Sequence, residues 1–233
     1  VGQAPGSSVT LLTYPPRQMT LPGKSPSVIT CRELGTGEPR GVLTLESFCY
    51  SEWLGVRKGL ALKYGKREPG RTNGRWPDWH RLSLPDAESR YFLAVLFPNP
   101  GWSFPNSLVV VDDLQAFPAG ALRFVNVSPY RLRVGWGDEV LDLAANEVVV
   151  DTPPAGNAGR TRRLVASVKK GSLMRVLSMD LEARAHERTT VVIYRTEGLK
   201  TTSPVGFSIV RDLSRVPEIP VDPPKSDKVP VAP

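Results

Sequence analysis

The chain has 233 residues, with 30 Lys and Arg against 23 Asp and Glu, a formal net charge of +7 and 40% hydrophobic residues, the balance of an ordinary soluble globular protein. Its 23 prolines and 20 glycines interrupt it too often for long helices. No run approaches the ~18 consecutive apolar residues of a membrane-spanning helix.

The positive charge is dispersed. Its densest clusters are Arg160, Arg162 and Arg163, and then Lys169-Lys170. Dispersed charge of this kind reads as solubility, and nucleic acid is not an expected partner. Short runs rich in Val, Leu and Thr between the turn formers point to an all-β chain.

In chain order, Val1-Gly-Gln-Ala-Pro-Gly fits either a mature end left after signal-peptide removal or a trimmed chain. A Pro-Gly turn at Pro22-Gly23 precedes a first expected strand, Ser27 to Arg32. Cys31 and Cys49 have 17 residues between them, which suits either one disulfide or two buried thiols. The stretch "GKREPGRTNGRWPDWH" from Gly65 has no periodicity and reads as a long loop. An apolar strand follows from Tyr91 to Phe97, then Trp102 and Phe104 in or beside a loop. "LVVVDDLQAFPAG" from Leu108 is a short strand and a turn joining two halves. Within it, Asp112-Asp113 lacks the alternating pattern of a calcium loop. The pair is suited to capping that connection or to meeting an arginine.

"RFVNVSPYRLRVGWGDEVLDLAANEVVV", from Arg123 to Val150, is the most patterned stretch. A strand ends at Ser128-Pro129, since proline cannot donate to a central ladder. Leu132, Val134 and Trp136 then alternate with Arg131, Arg133 and Gly135, which turns the tryptophan inward. Gly137-Asp138 is a fitting hairpin turn. The strand of Val140 and Leu141 to Leu143 returns, and Val148 to Val150 open another. "PAGNAG", Pro154 to Gly159, is a loop, and Thr189 to Arg195 is a closing apolar strand. The last 18 residues hold six prolines and read as an extended tail.

Two internal matches suggest a repeated unit of ~100 residues. "DAESRYFLAVLF" lies over "RAHERTTVVIYR" at an offset of 98, and "QMTLPGKSPSVITC" over "QAFPAGALRFVNVS" at nearly the same offset. Units of this size with short strands and frequent turns are typical of immunoglobulin-like sandwiches. The expected architecture is two tandem immunoglobulin-like β-sandwich domains, 1–105 and 106–213, with a Pro-rich tail at 214–233.

Catalytic material is sparse. The only histidines are His80 and His186, and no Gly-x-Ser-x-Gly elbow marks a nucleophilic serine. His186-Glu187 has no second histidine at metalloprotease spacing. The spacings of Cys31, Cys49 and His80 match no compact zinc site. No Gly-rich phosphate loop can be placed. The expectation is a non-enzyme with no cofactor and no metal. The sequon Asn126-Val-Ser128 lies inside a strand and reads as incidental. The best candidate surface is "RWPDWHR", with Arg75, Trp76, Trp79, His80 and Arg81, together with Trp102. Exposed rings there would stack on sugars or anchor a protein; buried rings would plug a sandwich end.

"PAGALRFVNVSPYRLRVGWGDEVLDLAANEVVV" resembles exported bacterial proteins of unknown function with immunoglobulin-like domains, the likeness running from Pro118 to Tyr194. These proteins show a Pro-Ala-Gly turn, a strand reading Arg-Phe-x-Asn-x-Ser-Pro, a short hairpin and a second apolar strand. The resemblance implies a secreted or periplasmic place and a structural or binding role at the cell envelope, with a protein or glycan partner. It brings no catalytic residues. The alternative is a carbohydrate-binding module using Trp76, Trp79 and Trp102.

Overall fold

The computed structural model describes residues 7–13, 27–45, 51, 53–64, 80–86, 89–98, 105–152, 161–170, 172–196 and 203–212. Among these there are strands and turns but no helix. The first eight strands are β1 (Ser7–Thr13), β2 (Ser27–Glu33), β3 (Pro39–Leu45), β4 (Leu54–Val56), β5 (Gly59–Tyr64), β6 (His80–Ser83), β7 (Tyr91–Pro98) and β8 (Pro105–Val111). The next eight are β9 (Leu122–Asn126), β10 (Leu132–Trp136), β11 (Glu139–Leu143), β12 (Val148–Asp151), β13 (Thr161–Lys170), β14 (Ser172–Glu182), β15 (Arg188–Arg195) and β16 (Val205–Asp212).

They form four sheets of four strands, in the orders β4-β1-β7-β8, β3-β2-β5-β6, β12-β9-β15-β16 and β11-β10-β13-β14. Adding eight to each strand number of the first two sheets gives the other two. In both halves the first strand lies parallel to the seventh, β1 on β7 and β9 on β15. An immunoglobulin constant-type sandwich runs 1-2-5-4 and 3-6-7. Here the first strand sits between the fourth and the seventh, so the sandwich architecture is present in a different strand order.

Each half closes on its own apolar interior. Val9, Leu11, Ile29, Cys31, Leu60, Leu62, Leu82, Phe92 and Ala94 fill the first. Leu122, Phe124, Leu132, Val134, Trp136, Leu164, Ala166, Val191 and Ile193 fill the second. A third cluster joins the halves. Leu12, Leu93 and Val95 on the back of the β4-β1-β7-β8 sheet pack with Val125, Val127, Val192 and Val210 on the back of the β12-β9-β15-β16 sheet. Those two sheets are therefore apolar on both faces. This explains why β1 reads Val9-Thr10-Leu11-Leu12 with no polar alternation, each residue fully buried.

The expected hairpin is present. In β10 Leu132, Val134 and Trp136 are buried, and Arg133 is exposed. Trp136 pairs with Glu139 around a two-residue turn, with Gly137 at φ 60°. Positive φ at the first central residue is the type II′ arrangement, which suits glycine and matches strand twist. Asn126 is wholly buried, and its Nδ2 donates to the carbonyls of Tyr130 and Ala144, both at 2.8 Å. That amide is committed to its turn and not free for a glycan.

Several expectations are revised. The first strand among the described residues is β1, ahead of the first strand expected from sequence. The match of "QMTLPGKSPSVITC" to "QAFPAGALRFVNVS" lays β2 over β9, whereas β9 holds the sheet position of β1. The 98-residue offset matches topologically equivalent strands, β7 and β15, but one residue out of register. It sets Leu93, on the back of its sheet, over Val191, which faces the sandwich interior. A one-residue slip exchanges the two faces of a strand. The short strand read from Leu108 lies in β8, which hydrogen-bonds along β7 at the edge of the β4-β1-β7-β8 sheet. Cys31 is a buried free thiol. Cys49, the loops at 65–79 and 154–159, and the tail at 214–233 lie outside the described residues.

Candidate functional site

Of the candidate surface residues, Arg75, Trp76, Trp79 and Trp102 lie outside the described residues. His80 opens β6 and is half-buried. Its Nε2 lies 2.9 Å from Ser107 Oγ on β8, a contact that closes the sandwich edge between β6 and β8. Burial lowers the His80 pKa below its ordinary value. Arg81 is exposed, and the alternation of β6 sends it to the opposite face from His80 and the buried Leu82. The structure thus brings His80 to Ser107 and away from Arg81. His186 is exposed in the turn before β15, as its sequence context suggests.

The most charged constellation is buried at the junction of the two halves. Arg123 on β9, Arg188 on β15, Asp112 after β8 and Asp212 on β16 are each at most 6% exposed. Arg123 Nη1 donates to Asp112 Oδ1 at 2.6 Å, and its Nε and Nη2 reach Thr190 Oγ1 at 3.3 and 3.1 Å. Arg188 donates from Nη1 to the Asp112 carbonyl and from Nη2 to Asp212 Oδ2, both at 2.9 Å. The Phe117 ring takes both guanidiniums, at 4.2 Å for Arg123 and 5.1 Å for Arg188. Asp113 Oδ1 meanwhile accepts from the N–H groups of Gln115 and Ala116 at 3.0 and 2.7 Å and shapes the turn that delivers Phe117. The acidic pair therefore does both things its sequence allowed: it caps the connection and meets arginines. Buried charges are tolerable only when paired and hydrogen-bonded, and these are. Arg188 Nε alone in this group lacks a partner.

A second polar group sits at one end of the second sandwich. Arg162 lies over the Trp136 ring, 5.7 Å from its centroid. Asp151 is raised in pKa by burial and then by the Glu139 charge, opposed by Arg162 and by the Trp136 indole. Trp136 lies near enough for its N–H to act on that carboxyl, yet neither Trp136 Nε1 nor Asp151 Oδ2 completes a hydrogen bond of good geometry. Arg162 already supplies the cation such a carboxylate calls for. The first sandwich has its own fixed acid. Glu33, 2% exposed, accepts from the N–H groups of Arg57 and Lys58 and from Arg40 Nε at 3.0, 2.9 and 2.8 Å. Burial would raise its pKa, and those donors outweigh burial and lower it.

Among the described residues no three His, Cys, Asp or Glu side chains come together as metal ligands. No helix there is long and apolar enough to cross a membrane. The sequence reading missed Arg123 and Arg188 as a pair. The available signal was an arginine inside an apolar strand context, twice, with Asp112 unexplained by any loop motif. The chain matches no protein-family model and no curated protein.

Proposed function

We propose that the chain is a non-enzymatic structural or interaction module of an exported protein at the bacterial envelope, built from two tandem immunoglobulin-like sandwiches. The observation that carries this reading is the joint. Two sheets back onto each other through a shared apolar layer, and the four buried charges beside it hold the linker at Asp112 and Phe117 to β9, β15 and β16. In this module the large buried polar groups are spent on fixing one half against the other, the requirement of a rigid spacer or presenting arm. Domain pairs joined only by small polar interfaces move relative to each other; an apolar layer with satisfied charges resists that.

The test is where the protein resides and what it does there. The untagged protein, expressed in its source cell from its full gene, is followed by fractionation and immunoblotting. Recovery with the envelope or periplasm supports the reading. Recovery with the cytosol overturns it.

A further inference from the structure

The four-stranded sheet β11-β10-β13-β14 keeps one face in the second core and turns the other to solvent. Its solvent face can be read row by row from the strand register. One row runs Asp142, Arg133, Ser167, Arg175 across β11, β10, β13 and β14. The next runs Val140, Gly135, Val165, Ser178 and carries no charge. Beyond it Arg163 pairs with Asp180 at 3.0 Å. Arg131, one alternation step before Arg133, is exposed, and so is Arg175.

The charge on this face is uneven. At the Arg163 end each cation meets an acid. At the other end Arg131, Arg133 and Arg175 face one acid, Asp142. The Arg133–Asp142 contact is long, 3.4 Å, with both side chains about half exposed at 56% and 48%. Such a pair holds little energy and can open for a better anion. Neither Arg131 nor Arg175 has an ion pair or hydrogen bond among the described residues. Adjacent strands are ~4.8 Å apart, so Arg133 and Arg175 flank the Ser167 hydroxyl at roughly 10 Å backbone separation. Two guanidinium forks with a hydroxyl between them can each take a pair of oxygens from a carboxylate or a sulfate. Gly135 leaves the middle row shallow: a side-chain carbon built there meets nothing closer than 3.8 Å.

The geometry points to this face as a binding surface for an acidic polysaccharide, lying across the strands with its anionic groups on Arg131, Arg133 and Arg175 and its sugar rings over the Gly135 row. Nucleic acid fits it less well. Single strands want exposed aromatic rings for stacking, and the described rows offer Val140, Val165 and serines instead. A duplex groove wants a helix or a two-stranded ribbon, and a flat sheet face presents neither. This inference rests on the reading of the chain as an envelope interaction module and names the chemistry of the partner.

The probes are polygalacturonate, dextran sulfate, uncharged dextran and a single-stranded oligonucleotide, titrated calorimetrically into the whole chain at low and moderate salt. The expected result is binding of the two acidic polysaccharides, none of dextran, and affinity that falls as salt rises. Arg131→Ala with Arg175→Ala should weaken that binding by ~10-fold or more and lower the salt slope by about two released counterions. Arg57→Ala with Arg90→Ala removes the same charge from exposed positions of the first half and should leave affinity within about twofold. Equal losses from both pairs would mean general charge attraction and overturn the assignment. So would an oligonucleotide that binds as tightly as polygalacturonate, or no binding at all. Circular dichroism of both variants separates loss of a contact from loss of the fold. Failure here with the protein still in the envelope fraction ends the polysaccharide assignment alone; a cytosolic protein that binds ends the envelope reading alone.

Discussion

Replacing Asp112 with alanine should be among the costliest single changes in the chain. The carboxylate accepts from Arg123 Nη1 at 2.6 Å and stands 3.7 Å from Arg188 Nη2. Alanine removes both contacts and leaves Arg123, 1% exposed, with Thr190 as its main side-chain acceptor. Arg188 loses less, because it keeps the backbone carbonyl of residue 112 and Asp212. Removing one partner of a buried pair strands the other charge and costs about 3–5 kcal/mol. With a urea m-value of about 3 kcal/mol/M, the midpoint should fall by roughly 1–2 M. Asp180→Ala is the control. It breaks the Arg163 pair, whose side chains are 57% and 59% exposed, and should cost less than about 1 kcal/mol. Urea titrations by fluorescence and circular dichroism measure both variants. Asp112→Ala should also part the two probes, because the halves then unfold separately. If Asp112→Ala falls within about 1 kcal/mol of the parent, the reasoning about a joint held by buried charge is wrong.

Gly59 has φ 146°, and a side-chain carbon there would stand 2.1 Å from the Leu82 carbonyl oxygen, so Gly59→Ala should destabilise more than Gly137→Ala, where the near neighbour is the movable Arg162 side chain at 3.2 Å; thermal melts of the two rank them. Burial pushes the Cys31 thiol up to about 12, so it carries almost no thiolate at pH 8; peptide-resolved iodoacetamide labelling should spare it in the folded protein and modify it in urea. His80 is held below its ordinary value by burial, so the unfolded chain binds the proton more readily. Its contribution is intact above the unfolded pKa of about 6.5 and is lost as pH falls through and below that value. NMR titration should show His80 protonating below the ordinary histidine value, and His80→Gln should flatten the acid side of the stability curve.

How far the sequence could be read depended on which faces of a strand meet water. The hairpin from Leu132 to Leu143 has one dry face and one wet face, so alternation alone placed Trp136 inside. β1, β7, β9 and β15 are dry on both faces, because a second apolar layer covers their backs. Alternation disappears there. That concealed β1 and allowed β7 to be matched to β15 one residue out of step. The same covering made Arg123 and Arg188 illegible: in an ordinary sandwich an arginine within a strand points to solvent, and here solvent is replaced by the other half. Asp112 was legible only as a pair of alternatives, since its partner lies 76 residues away in the case of Arg188. Of the candidate-surface residues, His80 meets Ser107 across the edge between β6 and β8 rather than the arginine beside it, a pairing that depends on strand packing and not on sequence neighbours. The row of Arg133 and Arg175 could not be seen, because it depends on the register of β13 against two neighbours and on the irregularity between Ala166 and Ser167.

The parallel pairing of β1 with β7 also sets a timetable for synthesis. Val9 takes its place opposite Phe92, so β1, made well before β7, must wait for it before their sheet can close. Until then Val9, Leu11 and Leu12 form an apolar segment with no docking edge on one side. β9 repeats the delay with β15. Each half thus matures only when its own C-terminal strands emerge, and the shared layer between halves can form only after both. Contacts so distant in sequence make for slow folding. A cell that moves this chain across a membrane unfolded would meet it in the state its topology prolongs.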